Sequence, residues 1–413
     1  MKSDVYYFTA RSRTYEESMS KVKGPLALEK LGFKNKIKKD DKVVIKTHFG
    51  ALENTRYLRP SYLRFLSDYV KQQGAIPSIA ESCGWGLPES ISGTHSEYSG
   101  RANEKEYLQV ALMHGFTPET MGAPILMIDG PSGIDYELQP IKGKRFKEVL
   151  VAGRLREFDY MIVASHFKGH SNAGFGGALK NLGIGCVSKG GKVQAHMGKK
   201  FEIDFSKCEP ECTKCVDVCP TGAMSKDKDL ILKKDWDKCR YCYMCRSVCD
   251  KKVIDIGYST REQFNMQFTD NAKGVVEYFG KDKIFFINYA IDISWQCDCG
   301  SSDVPFVPDI GVLSSSDPVA LDQACIDLVH DSYINPNSAL ADIDKFSSKA
   351  MKDEWFSYIP RYDPDSGELN MNKDGIPSRH WEIQLETAEE LGLGTRNYNL
   401  IKVKVNNNKN HTH

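Results

Sequence analysis

The stretch "KCEPECTKCVDVCPTG", residues 207–222, places four cysteines within twelve positions and follows the last with a proline. A second run, "KCRYCYMCRSVC" at 238–249, repeats the pattern with one residue fewer. Such spacing lets three thiolates cover one face of a metal cluster, while the fourth cysteine already starts a helix that points elsewhere. Clustered thiolates in a reducing compartment are more often metal ligands than disulfides. The two runs therefore predict a compact metal-binding segment in the middle of the chain.

Residues 200 to 257 resemble the bacterial two-cluster ferredoxin domain. The first run has one extra residue, and Asp250 stands where a second proline is common, but no ligand is missing. The resemblance implies two [4Fe-4S] clusters that relay single electrons, with the fourth cysteine of each run serving the other cluster. Cluster 1 would be held by Cys208, Cys212, Cys215 and Cys249. Cluster 2 would be held by Cys239, Cys242, Cys245 and Cys219.

Two other interpretations of the cysteine runs are a pair of zinc knuckles and a structural disulfide knot. Zinc sites usually draw two cysteines from each of two separated pairs, not from two runs of four. Electron transfer is the expected role of the clusters, and a purely structural role is the alternative.

Composition excludes several function classes. Lys+Arg and Asp+Glu both number 55, and the chain lacks a basic run, so we expect no nucleic-acid partner. The longest apolar stretches fall short of the roughly 20 residues that span a bilayer. The start alternates like a strand and lacks the basic flank and apolar block of a signal peptide. These features predict a cytoplasmic protein without a membrane span.

The chain of 413 residues is too long for one ordinary core. Strands and helices alternate with short turns, which predicts a two-lobed α/β protein with an inserted ferredoxin-like 2[4Fe-4S] domain. The predicted division is an α/β region at 1–200, the insert at 201–257, and the continuing α/β region with its tail at 258–413. Predicted strands are 41–50, 76–85, 158–170 and 283–290, and predicted helices are 57–74, 104–116 and 317–330.

Unusual polar residues follow the predicted strands. In open α/β sheets, ligands bind beyond the carboxyl ends of the strands. The residues found there are Lys46, His48, Cys83, His166, Lys168 and His170.

A glycine-rich stretch at 165–196 follows one of these strands. Its central glycines are Gly174, Gly176 and Gly177. They remove side chains from a turn that opens a helix near Ala178, so backbone N–H groups could face an anion, and Lys180 adds positive charge. The alternative is a tight turn with surface lysines. Three histidines surround the turn and favour a ligand site: His166, His170 and His196.

The chain from about residue 40 to 330 resembles the DUF362 family, in the subset with an internal ferredoxin domain. The matching segments are "KTHFG", "NTRYLRP", "SHFKGHSNAGFGGALKNLGIGC", "CDC" at 297–299 and "PDIGVLSSSDPVALDQA". This resemblance implies the fold and the cluster-bearing insert but no particular reaction.

A fainter resemblance links "HSNAGFGGALK" to the lysine element of the nickel-pincer lactate racemase family. In that family a lysine carries the cofactor, the histidine before it is an acid/base and a later histidine ligates nickel. The matching positions here are Lys180, His170 and His196. The end of the element differs, because "NLGIG" replaces a proline-containing segment.

The segment "ENTRYLRP" at 53–60 is similar to the substrate-binding loop of the same family. The resemblance implies that Arg56 clamps a carboxylate or another anionic group. Glu53 replaces an aspartate of the family pattern, and His95 is only a loose counterpart of its second acid/base histidine.

Cys297 and Cys299 form a tight C-x-C pair that could hold a further metal, act as a redox pair, or be inert. We favour an iron–sulfur redox protein that delivers electrons to a small anionic substrate or an organic or metal cofactor in the crevice. The alternatives are a non-catalytic carrier or cluster-maturation factor that meets a redox partner protein, and a racemase or epimerase. The crevice residues are Lys46, His48, Arg56, His166, His170, Lys180 and His196.

Overall fold

The computed structural model describes residues 2–86, 100–197, 202–255, 257–343, 346, 352–362 and 369–405. His95 therefore lies outside the described residues. No helix in the described part is long and apolar enough to cross a membrane.

The strands are distributed over the whole chain. They are β1 Ser3–Thr9, β2 Lys42–Lys46, β3 Ile76–Glu81, β4 Ile125–Met127, β5 Tyr136–Pro140, β6 Glu148–Ala152, β7 Tyr160–His166, β8 Lys168–His170, β9 Gly174–Gly176, β10 Glu202–Ile203, β11 Met224–Lys226, β12 Leu232–Lys234, β13 Ile254–Asp255, β14 Ile284–Ala290, β15 Gly311–Ser315, β16 Arg361–Tyr362, β17 Leu369–Asn370 and β18 Tyr398–Lys402.

Eight strands form one sheet in the order β18-β1-β15-β14-β7-β2-β3-β4. The run from β14 to β4 is parallel, β15 is antiparallel to both of its neighbours, and β18 pairs parallel with β1. Strands from both sides of the cysteine runs contribute to this sheet. The α/β fold class predicted from strand–helix alternation is confirmed.

Most of the α-helices pack on the sheet or connect its strands, and α8 and α9 lie in the cysteine runs. They are α1 Gly24–Lys30, α2 Phe33–Lys36, α3 Pro60–Gln72, α4 Glu104–Met113, α5 Pro118–Met121, α6 Ala178–Gly183, α7 Lys189–His196, α8 Lys214–Asp217, α9 Met244–Ser247, α10 Arg261–Phe279, α11 Pro318–His330 and α12 Glu382–Glu390. Short 3-10 turns are Tyr15–Glu17, Gly153–Glu157, Phe205–Lys207, Lys281–Lys283, Ala339–Asp342 and Trp355–Ser357, and Met19–Lys23 is a π-helix.

Two hydrophobic clusters cover the two faces of the sheet. Val43 and Ile45 belong to one cluster and Val44 to the other, because successive side chains of a strand point to opposite faces. Lys46 is the next residue on the Val44 face and the last of β2. The alternation of side chains between the two faces of β2 therefore places the buried Lys46 at the end of the strand.

The cysteine runs lie outside the large sheet. β10 pairs with β13 and β11 with β12, both antiparallel. A third, small hydrophobic cluster joins Met224, Leu232, Val253 and Ile254 to several of the cysteines. We refer to residues 202–255 as the cassette; the division of the chain at 1–200, 201–257 and 258–413 stays a prediction.

Candidate functional site

The site begins with a buried ion pair between two neighbouring strand ends. The Nζ atom of Lys46 lies 2.6 Å from Oε1 of Glu81 and also donates to Oδ1 of Asn181 at 2.9 Å. Both charged side chains are almost fully buried. Burial acts to raise the pKa of Glu81, but Lys46 and His48 outweigh it and lower that pKa to about 2. A buried charge is tolerated only when it is paired, so Lys46 holds Glu81 as a carboxylate.

His48 continues this charge arrangement toward solvent. Its Nδ1 lies 2.6 Å from Oε2 of Glu81 and 3.0 Å from the hydroxyl of Tyr107. Its Nε2 lies 3.8 Å from Sγ of Cys299. Burial lowers the pKa of His48, yet hydrogen bonds to Cys299 and Glu81 raise it above the usual value overall. The imidazole therefore connects a carboxylate to a thiol.

A second buried cluster forms where β7 ends. Nδ1 of His166 lies 2.9 Å from Oδ2 of Asp298, and the amine of Lys168 lies 2.8 Å from the same oxygen. Nε2 of His166 contacts the carbonyl oxygen of Ile291 at 2.8 Å. Burial raises the pKa of Asp298, but His166 and Lys168 bring it well below its usual range. Two of the predicted crevice residues thus fix the turn that carries Cys297 and Cys299.

His170 and His196 are held in defined tautomers. Nδ1 of His170 accepts from the backbone N–H groups of Asn172 at 3.2 Å and Ala173 at 3.0 Å, so in the neutral ring Nε2 carries the proton. Nδ1 of His196 lies 2.7 Å from the carbonyl oxygen of Lys192, which leaves Nε2 of its neutral ring with a free lone pair. Burial lowers the pKa of His196 to about 4 and that of His170 well below its usual value.

Lys180 lies among these groups. Its charge adds to the effect of burial in lowering the pKa of His170 and His196, and it opposes the rise in the pKa of Cys297. A Cβ placed on Gly176 would lie 3.4 Å from Cδ of Lys180 and 4.0 Å from Cε of Lys168. Among the described residues, the Lys180 amine has no hydrogen-bond or ion-pair partner. The structure therefore brings Lys168, Lys180 and His196 close to His170.

Protein groups that the sequence did not predict fill the space around the glycine turn. The backbone N–H groups of Ala178 and Leu179 donate to the carboxylate of Asp322, at 2.8 Å and 3.0 Å. A Cβ on Gly177 would lie only 2.3 Å from that carboxylate, and one on Gly174 would lie 2.3 Å from Cβ of Trp381. These two glycines make room for protein groups. An anion at this turn would have to use lysine side chains instead of the first N–H groups of α6.

Arg56 is paired with a carboxylate. Its Nη1 is 3.6 Å from Oδ1 of Asp292, and Arg59 pairs with the same carboxylate. The neighbouring Asn54 donates to the carbonyl oxygen of Gly300 at 2.9 Å. The loop of Arg56 therefore touches the Cys297–Cys299 turn, and the role of Arg56 as an anion clamp stays a prediction.

A cavity lies beside the second cysteine run. Its empty space is ≈ 350 Å³, part of it open to solvent, and its lining includes Cys219, Cys239, Cys242 and Cys245. The N–H of Ala223 donates to Sγ of Cys219 at 3.1 Å, and the N–H of Tyr241 to Sγ of Cys239 at 3.4 Å. Backbone donors of this kind stabilise thiolate ligands. The residues present therefore fit a cluster held by the predicted set.

Cys215, in the first cysteine run, has neighbouring thiols from both runs. The pKa of Cys215 is raised to about 11 by burial and by the charges of Cys208, Cys249 and Cys212. Cys249 comes from the second run, as the resemblance to ferredoxins implies. Among the described residues, no three or more His, Cys, Asp or Glu side chains are grouped to hold a single metal ion. In a cubane, by contrast, each cysteine meets a different iron.

Helix α7 joins the cassette to the crevice. A Cβ on Gly190 would lie 2.8 Å from the carbonyl oxygen of Arg240 and 3.3 Å from Cβ of Tyr241, which both line the cluster 2 cavity. The charge of Lys189 acts on Cys242. The other end of α7 is His196, six residues after Gly190 and so roughly 9 Å along the axis. The cluster 2 cavity is therefore one short helix away from the crevice histidines.

The family described as "Domain of unknown function (DUF362)" matches residues 43–327, well over half of the sequence. The chain belongs to the DUF362 family. The match spans both the α/β region and the cassette, and it confirms the resemblance seen in the sequence.

Relatives of the cassette are found separately. Over 55 residues the DUF362 chain is 34% identical to a ferredoxin of Methanothermococcus thermolithotrophicus, covering 13% of this chain and 92% of that protein. Over 52 residues it is 35% identical to pyruvate synthase subunit PorD of Methanocaldococcus jannaschii, covering 13% of this chain and 59% of that subunit. The DUF362 chain thus carries a ferredoxin-like segment close to the length predicted for the insert.

A solved structure is similar at low identity. It is the lactate racemase apoprotein from Thermoanaerobacterium thermosaccharolyticum, with 14% identity and a TM-score of 0.42. The match covers 81% of the DUF362 chain and 59% of the racemase chain.

Several site residues could not be predicted from the sequence. Glu81 and Asp298 look like ordinary acidic residues, and Arg101 is almost 200 positions from the Cys299 thiol that its Nη1 contacts at 3.3 Å. One signal was available: several cations at buried strand ends require buried anions nearby. That signal predicts partners for Lys46 and Lys168 without saying which residues they are.

Proposed function

We propose that this chain passes single electrons through two [4Fe-4S] clusters to an acceptor bound in the crevice. The proposed ligands are Cys208, Cys212, Cys215 and Cys249 for cluster 1, and Cys239, Cys242, Cys245 and Cys219 for cluster 2. When bound, such clusters supply one electron at a time. Because the thiol-rich chain needs a reducing compartment, we expect it to work in the cytoplasm.

The clusters are supported by three independent observations. A segment of this chain is similar to ferredoxins. One cavity is lined by all four proposed ligands of cluster 2, with backbone N–H groups donating to two of the sulfurs. The electrostatic neighbours of Cys215 come from both cysteine runs. The interleaved ligand sets of a two-cluster ferredoxin account for all three.

The observation that carries the proposal is the position of α7. Gly190 lies against Arg240 and Tyr241 at the cluster 2 cavity, and His196 ends the same helix in the crevice. Electron transfer between centres falls steeply with distance, so the Cys242 side of the cassette is the side from which electrons leave. Cluster 1 is then the entry point, and a redox partner protein would dock near it.

The crevice has the charge and the proton groups that an anionic acceptor needs. Lys168 and Lys180 supply positive charge at the glycine turn, and Lys180 has no partner among the described residues. Nε2 of His196 is a free base at neutral pH, and Nε2–H of His170 is a donor. These residues can hold an anionic group and move a proton as an electron arrives.

The test uses dithionite-reduced holoprotein under anaerobic conditions. Reoxidation of the clusters is followed by visible absorbance after mixing with 2-oxo acids or small organic disulfides, and separately with cytochrome c, which meets the protein surface. We expect Lys180→Ala to slow reoxidation by the small anionic acceptors at least tenfold, and Lys180→Arg to restore part of the rate. Reoxidation by cytochrome c should not change.

The alternative is a non-catalytic electron carrier, and the same experiment separates the two. If no small acceptor reoxidises the wild-type clusters, or if Lys180→Ala has the wild-type rate with every acceptor, electrons do not leave through the crevice. Cytochrome c would then be the better substitute for the natural partner, and the proposal would be overturned.

A further inference from the structure

Cys299 lies at the end of a chain of charged and polar side chains. Its Sγ is 3.8 Å from Nε2 of His48, whose Nδ1 is 2.6 Å from Oε2 of Glu81. The other carboxylate oxygen of Glu81 is held by Lys46 at 2.6 Å. A thiol, an imidazole and a carboxylate in this order form the arrangement that activates a cysteine nucleophile. The carboxylate orients the ring, and the ring takes the proton of the thiol.

Arg101 supplies a second, independent observation. Its side chain is buried, its Nη1 lies 3.3 Å from Sγ of Cys299, and its Nε has no hydrogen-bond partner in the part of the chain that the structure describes. Among the described residues, Arg101 forms no ion pair with a carboxylate. A buried guanidinium needs a counter-ion, and the group placed to serve is the sulfur of Cys299. Arg101 therefore favours a thiolate at this position.

Cys297 is placed to act together with Cys299. Only one residue separates the two cysteines, one turn carries both, and each thiol affects the pKa of the other. Both cysteines are partly exposed as residues, whereas Cys83, Cys186 and Cys325 are buried. Residues flanking the pair line an open cavity with ≈ 640 Å³ of empty space, among them Trp295, Gln296, Ser301 and Ser302. This cavity adjoins the turn and is the proposed entry for a small disulfide.

We propose that Cys299 is a thiolate nucleophile, with His48 as its acid/base and Cys297 as its resolving thiol, and that the pair reduces disulfide substrates. Glu81 and Arg101 are positioning residues in this scheme. The return of the oxidised pair to the dithiol rests on the function proposed above, because it uses electrons from the cassette.

The proposed reaction has three steps. Cys299 thiolate attacks one sulfur of a substrate disulfide RS–SR, a Cys299–SR bond forms, and RS⁻ leaves with a proton from the His48 imidazolium. Cys297 loses its proton to His48 and attacks Sγ of Cys299, which closes the Cys297–Cys299 disulfide and releases the second RS⁻. The substrate has gained two electrons. Two single electrons from the cassette and one proton then restore the Cys299 thiolate and the Cys297 thiol.

The charged surroundings of the pair are consistent with this scheme. The hydrogen bond from Cys297 and the charges of Arg101 and His48 outweigh burial, so the pKa of Cys299 is well below its usual value. The same hydrogen bond, together with burial, raises the pKa of Cys297. The titratable or charged groups that face the pair are Arg101, Tyr107, His48, Lys168, Lys180, His170 and His196. Because Arg101 and His48 both contact Cys299, it is the attacking thiol of the pair.

The experiment is alkylation of anaerobic holoprotein with iodoacetamide between pH 5 and pH 9, with each cysteine followed by peptide mass mapping. We expect Cys299 to react at least tenfold faster than Cys297 at pH 7 and to keep this rate below pH 7. In Glu81→Gln and Arg101→Leu the pH profile of Cys299 should move toward that of a free thiol, and Arg101→Lys should restore it in part. A structural role alone would not move this profile.

The second arm uses hydroxyethyl disulfide as the substrate. Wild type should form an internal Cys297–Cys299 disulfide, and Cys297→Ser should instead accumulate a mixed disulfide at Cys299, with the visible spectrum of the clusters unchanged. The proposal is overturned if Cys299 alkylates with the profile of a free thiol, or if neither product forms.

A third arm keeps this result separate from the proposed function. The oxidised pair should be reopened by dithionite in wild type and much more slowly in Cys219→Ser, which is expected to lack cluster 2. If the internal disulfide forms but reopens equally in both proteins, the nucleophile assignment stands and electron delivery through the cassette is refuted.

Discussion

The α-carbon of Gly190 faces the carbonyl oxygen of Arg240 so closely that a Cβ on Gly190 would lie 2.8 Å from it. This contact joins helix α7, which ends at His196, to the wall of the cluster 2 cavity. The packing requires glycine at position 190, because a residue without a Cβ lets the two backbones approach this closely. It also fixes how near the cassette lies to the crevice.

Replacing Gly190 by alanine should therefore move the cassette away from α7. The overpacked contact is expected to cost about 1–3 kcal/mol of stability. We also expect slower reoxidation of the clusters by small acceptors, measured by stopped-flow absorbance, with iron content unchanged. Gln194→Ala, on the same helix, is the control and should have the wild-type rate. A wild-type rate in Gly190→Ala would argue against this route.

The interleaved ligand sets predict how single cysteine changes act. Cys219 lies in the first run but should serve cluster 2, and Cys249 lies in the second run but should serve cluster 1. Cys219→Ser and Cys249→Ser should each reduce iron by about half, with different clusters lost, because each [4Fe-4S] cluster takes four cysteines. Electron paramagnetic resonance of the reduced proteins distinguishes the two losses. If each change removed the cluster of its own run, the interleaved assignment would be wrong.

Two adjacent glycines should behave differently when replaced by alanine. A Cβ on Gly177 would lie 2.3 Å from Oδ1 of Asp322, the carboxylate that accepts from the N–H groups of Ala178 and Leu179. Gly177→Ala should lower the free energy of unfolding by about 2–3 kcal/mol, because it displaces a buried carboxylate from its donors. Thermal unfolding under anaerobic conditions measures this loss.

Gly176→Ala is the matched control, since its Cβ would make only an ordinary contact with Lys180. We expect near wild-type stability and weaker use of small anionic acceptors. Equal stability of the two variants would show that the Asp322 contact does not constrain the turn.

The buried position of His196 predicts how the stability of the protein depends on pH. Burial lowers its pKa to about 4 in the folded protein, against roughly 6.5 in an unfolded chain. Between these values the unfolded chain binds more protons, so stability falls as the pH is lowered, by about 1–2 kcal/mol from pH 7 to pH 5. His196→Gln should lose this part of the pH dependence. The measurement is the difference in anaerobic thermal unfolding between variant and wild type at each pH, and an unchanged difference would refute the pKa assignment.

The sequence predicted the neighbouring parallel strands β14, β7, β2 and β3 because buried strands and capped helices carry local signals. Helix α11 begins at Pro318, and the side chain of its cap Asp317 accepts from the N–H groups of Val319 and Ala320, as helix-start patterns suggest. The polar residues at the strand ends were also predictable, since parallel strands bring their carboxyl ends to one edge. Lys46 and His166 lie at that edge in the structure.

The remaining contacts depend on distant parts of the chain. Asp322 lies 144 positions after Ala178, yet it accepts the N–H that the sequence assigned to an anion. Arg101 meets Cys299 across 198 positions. Such pairs leave no periodic trace in the sequence, because each partner is an ordinary residue in its own segment. Only the folded sheet brings them together.

The eight cassette cysteines are proposed to hold two [4Fe-4S] clusters, and the proposed electron transfer requires both. Anaerobically purified protein should be brown and should contain about eight iron and eight labile sulfide per chain, as two [4Fe-4S] clusters require, with little zinc or nickel. Its dithionite-reduced form should show paramagnetic resonance from both clusters. Colourless protein with zinc in place of iron would contradict the account.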